Sequence, residues 1–129
     1  MNPSKSDKTT LFWAALGALL LLFLIFISGK FNGSENRVKL VIDYGDGRLR
    51  SFMTYPKPGT TAWDFLQQAS AQYEISLEAA AGFNPAAIGG LNNGEGGKKW
   101  VWYKNGKRQK ESPLSEYITA GEEILYRFE

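Results

Sequence analysis

The chain has 129 residues, a formal net charge of +2, and neither cysteine nor histidine. That composition excludes disulfides, thiolate nucleophiles, imidazole bases, Cys/His zinc sites and any Ser-His-Asp or Cys-His mechanism within the chain. With 14% aromatic and 22% charged residues it reads as globular, with length for one domain.

Residues 1–10 form a polar stub, read as cytoplasmic. Residues 11–28, LFWAALGALLLLFLIFIS, carry no charge and include seven Leu, three Phe and two Ile. At ~0.3–0.6 kcal/mol each near a helix centre, these side chains favour membrane insertion by about 4–7 kcal/mol. At 1.5 Å per residue the run spans ~27 Å, close to a ~30 Å hydrocarbon core. The segment is therefore expected to be a single-pass transmembrane signal-anchor, with the C-terminal domain extracytoplasmic at the cell membrane. Secretion after cleavage near Gly29 is the alternative. Lys5 and Lys8 before the run nearly balance Lys30, Arg37 and Lys39 after it, so the orientation rests on a short stub preceding a much longer domain. Residues 29–36, GKFNGSEN, read as a linker.

The domain begins at Arg37. Val38, Leu40, Ile42 and Tyr44 alternate with Arg37, Lys39 and Asp43, the pattern of a half-buried strand. Gly45-Asp46-Gly47 is a turn, and LRSFMTY returns, so residues 37–55 are expected to form a hairpin. Asp43 and Asp46 suit turn chemistry, not a calcium loop, which needs a longer run of oxygen ligands. Pro56-Lys57-Pro58-Gly59 breaks the strand. Thr61 with Asp64 three residues on forms a variant capping box, and Ala62, Phe65, Leu66, Ala69 and Tyr73 fall at helical spacing, predicting a helix over 62–73.

Residues 74–97 break the periodicity. Glu78 to Ala81 suggests a helical turn and Ile88 to Leu91 a short strand within a loop holding six glycines after residue 81. A phosphate loop is excluded, because Gly97-Lys98 is followed by Lys99 and Asn92 stands where the earlier glycine belongs. Next comes KWVWYKNGKRQK. Trp100, Trp102 and Lys104 share one strand face, Val101 and Tyr103 the other, and Asn105-Gly106 predicts a type I′ hairpin turn. Pro113 to Tyr117 suggests a helical turn. Glu123 to Phe128 is a final strand with Ile124, Tyr126 and Phe128 on one face. One helix on one face of a small mixed sheet is an α+β arrangement that matches a β-grasp-like plan.

The block Trp100-x-Trp102-Tyr103-x-Asn105-Gly106, followed by Tyr117-x-x-x-Gly121-Glu122-x-Ile124-x-Tyr126, resembles the transcobalamin C-terminal-like domain. So do Gly59-Thr60-Thr61-Ala62-x-Asp64-x-Leu66 and Ile88-Gly89-Gly90-Leu91. The resemblance covers residues 37–129, with Lys104 and Glu122 standing where family members usually carry Val and Asp. It implies a β-grasp-like fold and non-catalytic ligand capture. Cobalamin enters as a cofactor through this resemblance alone, and the chain has no histidine to ligate cobalt.

Two surfaces follow. Trp100, Trp102, Tyr103 and Asn105, with Gly89 and Gly90, are the candidate ligand-binding residues. Lys98, Lys99, Lys104, Lys107, Arg108 and Lys110 form a stretch of six cations with no acid, a candidate patch for an anionic partner. The competing reading is a solvated hairpin whose tryptophans are core. The function expected is a membrane-tethered, extracytoplasmic binding module for an unidentified soluble ligand or partner. Its alternative is an accessory subunit or anionic-polymer-binding protein of the cell envelope using hairpin 98–110. Expected partners are the membrane through 11–28 and a small molecule or envelope protein; nucleic acid is disfavoured, because the net charge of the domain is small. No enzyme, catalytic residue or metal site is expected: Glu122 and Glu123, adjacent in an extended segment, point to opposite faces and cannot form a glycosidase-like pair.

Overall fold

A computed structural model describes residues 13–19 and 36–129. The chain divides into two units, Met1–Ser34 and Glu35–Glu129. In the first unit residues 13–19 are helical.

The second unit is built around β1 (Val38–Asp43), whose residues alternate between buried and half-buried along its whole length. The Gly45–Gly47 turn returns it into β2 (Leu49–Thr54), antiparallel, with Leu40 opposite Phe52. Helix α1 (Ala62–Gln72) follows. Its start is fully specified: Thr61 N–H donates to Asp64 Oδ2 at 2.9 Å, and Asp64 N–H donates to Thr61 Oγ1 at 3.1 Å. The Ala62 and Trp63 N–H groups, otherwise orphaned at a helix start, donate to the carbonyls of Glu116 and Pro113. The Pro113–Tyr117 segment, expected to be a helical turn, is instead a loop whose carbonyls cap α1.

Three short strands come next: β3 (Leu77–Ala79), β4 (Pro85–Ile88) and β5 (Leu91–Asn92). They form a separate three-stranded antiparallel sheet, with a 3₁₀ turn at Ala81–Phe83 between the first two. The helical turn expected at 78–81 is thus largely strand and 3₁₀ turn, and the strand expected at 88–91 is the turn of a hairpin. The strands β6 (Trp100–Lys104), β7 (Lys107–Arg108) and β8 (Glu123–Phe128) complete the main sheet, in the order β2-β1-β8-β6-β7. β8 lies between β1, to which it is parallel, and β6, to which it is antiparallel.

The core lies between the sheet and α1. Val38, Leu40, Ile42, Ile124 and Tyr126 face Ala62, Phe65, Leu66 and Ala69 from the helix, joined by Trp63, Trp100, Trp102 and Phe128. Each fully buried aliphatic or aromatic side chain contributes about 1.5–3 kcal/mol. Trp63 is buried as well.

The expected architecture is corrected in two respects. The domain is α+β with a mixed sheet, but a single-sheet, one-helix β-grasp-like plan does not describe it, because the glycine-rich region builds a second sheet. Nor is the expected transmembrane signal-anchor found: among the described residues no helix is long and apolar enough to cross a membrane. Crossing needs a continuous helix of about 20 residues, whereas the described helical stretch within 11–28 covers residues 13–19. The stub at 1–10, the remainder of 11–28 and all of the linker except Asn36 lie outside the described residues.

Candidate functional site

The aromatic block of β6 is held from two sides. Trp100 N–H donates to Asn93 Oδ1 at 2.8 Å, and its Nε1 donates to the Leu91 carbonyl at 2.9 Å. Asn93 Nδ2 donates in turn to the Pro85 carbonyl at 3.0 Å, so one asparagine ties β4 to β6. The Trp100 ring packs edge-on against Tyr44 at 5.8 Å and lies 5.2 Å from Phe128. Trp102 stacks on Tyr126 at 6.3 Å, and its Nε1 donates to the Glu111 carbonyl at 2.9 Å. Both tryptophans are buried, with 6% and 3% exposure, so they wall the core and are not an open platform.

The other candidate binding residues are separated by the fold. Tyr103 is half-buried on the opposite sheet face, where its hydroxyl donates to Glu129 Oε1 at 2.6 Å and Arg127 lies over its ring at 5.5 Å. That bond to a carboxylate raises the Tyr103 pKa. Asn105 has a left-handed backbone, φ +50, and its Oδ1 accepts from Glu123 N–H at 2.9 Å, fixing the start of β8. Gly89 and Gly90 form the β4–β5 turn, both at positive φ. A Cβ on Gly89 would stand 2.9 Å from the Tyr44 ring, so the close approach of that ring requires glycine there.

The six cations also divide. Lys104 Nζ is 3.4 Å from Glu122 and 3.6 Å from Glu116 and donates to the Tyr117 carbonyl at 3.1 Å, so it is neutralised in place. Lys98 and Lys107 are exposed and stand outside the groove that receives the remaining three. That groove, about 400 Å³, runs between Asn84, Pro85 and Asn93 on one side and β6 with the segment after β7 on the other. Lys99, Arg108 and Lys110 line it beside Trp100 and Trp102, with Gln109 between the last two cations. No carboxylate lines it; the nearest charge partner is Glu129, 3.8 Å from Arg108.

A wider cleft of about 600 Å³ lies elsewhere, lined by Tyr44, Arg48, Arg50, Glu74, Ser76 and Gly89 among others. Its charge is mixed. Arg48 is held by Asp46 at 2.8 Å while lying over the Tyr44 ring at 4.8 Å, and Glu74 adds a carboxylate. The backbone N–H of Arg48 on the Asp46 carboxylate, with its side chain, lowers the Asp46 pKa. Asn84, Asn93 and Gln109 were not singled out from sequence. They carry no periodic signal, and only the pairing of distant strands brings them beside the cations. Among the described residues, no three acidic side chains converge as a metal site.

The site thus belongs to a small α+β domain with a basic groove beside buried aromatics. No known protein family matches the chain, and no curated protein matches it. It is similar in fold to a solved protein of Ruminococcus gnavus described as a "putative metal binding protein", at TM-score 0.54 and 10% identity, covering 74% of this chain and 97% of that one. At that identity the likeness shows the fold alone.

Proposed function

We propose that residues 37–129 act as a non-catalytic binding module that takes a small anionic ligand, bearing carboxylate or phosphate groups, in the groove of Lys99, Arg108 and Lys110. The observation that carries this reading is the convergence of three cations on one hollow without a lining carboxylate. Its size suits a small molecule, for which pockets run from about 300 to 1,000 Å³. The resemblance of the β6–β8 block to the transcobalamin C-terminal-like domain supports capture over catalysis. The metal-binding description of the structural neighbour finds no ligand set among the described residues, so an anion is the better fit.

The test is tryptophan fluorescence of the full chain titrated with inorganic phosphate, citrate, cyanocobalamin and polygalacturonate. A saturable change is expected with the small anions, weakened at least about tenfold in a Lys99→Glu/Arg108→Glu variant, since hydrogen bonds to charged groups contribute about 1.5–3 kcal/mol each. Lys107→Glu, outside the groove, leaves it intact. Silence with every anion, or a response undiminished in the double variant, overturns the reading. A response to polygalacturonate alone favours instead a polymer lying along hairpin 98–110.

A further inference from the structure

The main sheet ends on one side at β7, two residues long, and on the other at β2, six residues long. A long open edge is a template for another strand, and proteins blunt such edges with bulges, proline or charged side chains. β2 has no bulge or proline, and its one charged side chain is Arg50. Its register with β1 runs from Leu49 to Thr54 without a shift, and it contains neither proline nor lysine.

The free groups on that edge can be identified. Tyr44 N–H donates to the Arg48 carbonyl, which sets the antiparallel alternation. The residues bonded to β1 are therefore Arg50, Phe52 and Thr54, and the N–H and C=O groups of Leu49, Ser51 and Met53 point outward. Among the described residues no strand pairs with them.

Two hollows lie beside this edge. One, about 150 Å³ and mostly polar at its surface, sits between β2 and α1, lined by Thr54, Gln68 and Gln72 beside Phe52 and Tyr73, whose rings are 4.6 Å apart. The other is the cleft at Arg48 and Arg50. The stretch 47–58 carries Arg48, Arg50 and Lys57 and no acid. Asp46 holds Arg48 and Glu74 borders the cleft, but among the described residues no ion pair is formed by Arg50, whose guanidinium lies 5.5 Å from the Phe52 ring.

We propose that the outer edge of β2 docks an extended, acidic peptide segment of a partner protein by strand addition. Its main chain pairs with Leu49, Ser51 and Met53. One carboxylate meets Arg50, and the next side chain on that face reaches Gln68 and Gln72 in the hollow beside Phe52. Main-chain bonds supply affinity and the hollows supply selectivity. Charge selects this occupant over a second copy of the chain. Antiparallel pairing of two β2 edges about Ser51 brings the two Arg50 side chains together diagonally on one face, with no acid in either strand to offset them.

The test is amide hydrogen exchange of the full chain with a short synthetic peptide of alternating glutamate and valine, compared with its lysine–valine counterpart. The expected result is at least about tenfold slower exchange at Leu49, Ser51 and Met53 with the acidic peptide only. Ser51→Pro removes an outward N–H that β1 does not use, and abolishes the protection while near-UV circular dichroism is kept. Arg50→Glu, which leaves the edge itself unchanged, transfers the protection to the lysine peptide. The proposal is overturned by no protection with the acidic peptide, by equal protection from both peptides, by protection unchanged in Arg50→Glu, or by protection that rises with protein concentration without peptide, which marks a second copy as the occupant.

Discussion

Tyr126 joins the sheet to the helix. It is fully buried, stacks on Trp102, and its hydroxyl donates to the Ala62 carbonyl at 3.0 Å. Burial disfavours the phenolate and pushes the Tyr126 pKa well up. A folded pKa above the unfolded value means the native state holds its proton longer. Stability from this group is therefore complete below about pH 10 and is lost as pH rises beyond it. Tyr126→Phe is expected to lower stability at pH 7 by about 1 kcal/mol, through the lost hydrogen bond, and to flatten the alkaline decline. Urea unfolding at pH 7 and above pH 10 measures both; an equally steep decline in the variant contradicts the assignment. The residual slope belongs partly to Tyr103, whose pKa is raised by its bond to Glu129. Trp100 and Trp102 teach a related lesson at this scale. Sequence spacing placed them on one strand face, and that face is the core; their indole N–H groups find the Leu91 and Glu111 carbonyls there. Alternation identifies which residues share a face without saying whether water or protein covers it.

At the scale of elements, α1 was legible because its signals are local. The capping box of Thr61 and Asp64 lies within four residues, and the apolar spacing follows directly. Thr61→Ala is expected to cost about 1 kcal/mol, within a range of about 0.5–2. Thermal or urea unfolding checks it, and a loss below about 0.3 kcal/mol would show that the Glu116 and Pro113 carbonyls alone hold the helix start. The Asn105-Gly106 turn was legible for the same reason: two successive residues must take positive φ, and these two do. The second sheet was not legible. Its strands are two to four residues long and interrupted by glycines, too short for a period-2 pattern to emerge. The loop at 113–117 misled for the opposite reason, since its proline and polar residues suit a helical turn, whereas capping α1 decides its shape.

At the scale of the molecule, β8 is the strand on which the main sheet depends, since it separates β1 from β6 and pairs with both. Ile124, Tyr126 and Phe128 together contribute roughly 5–9 kcal/mol of apolar burial, against a total stability of about 5–15 kcal/mol for a domain. Ending the chain after Glu122 is therefore expected to abolish cooperative urea unfolding and the near-UV circular dichroism of the buried tryptophans. A truncated chain that kept a sharp transition would show that β1, β2 and α1 are stable alone. The same long-range pairing assembles the candidate groove, which draws Asn84, Asn93, Trp100 and Lys110 from separate segments. Only the basic and aromatic side of that groove was visible as a linear motif.

Sequence alone determined the residue-level chemistry and the local elements. The absence of Cys and His removed whole mechanisms, and alternation, capping and turn residues located β1, β2, α1, β6 and β8. These are effects of neighbours a few residues apart, and a linear pattern carries them. Tertiary structure alone decided that β1 lies parallel to β8, that the tryptophan face is interior, and that Lys99, Arg108 and Lys110 converge while Lys104 is neutralised by Glu116 and Glu122. Those outcomes depend on burial and on contacts between residues far apart in the chain. Hydrophobic attraction is non-directional, and a local pattern does not specify which distant surface will cover it.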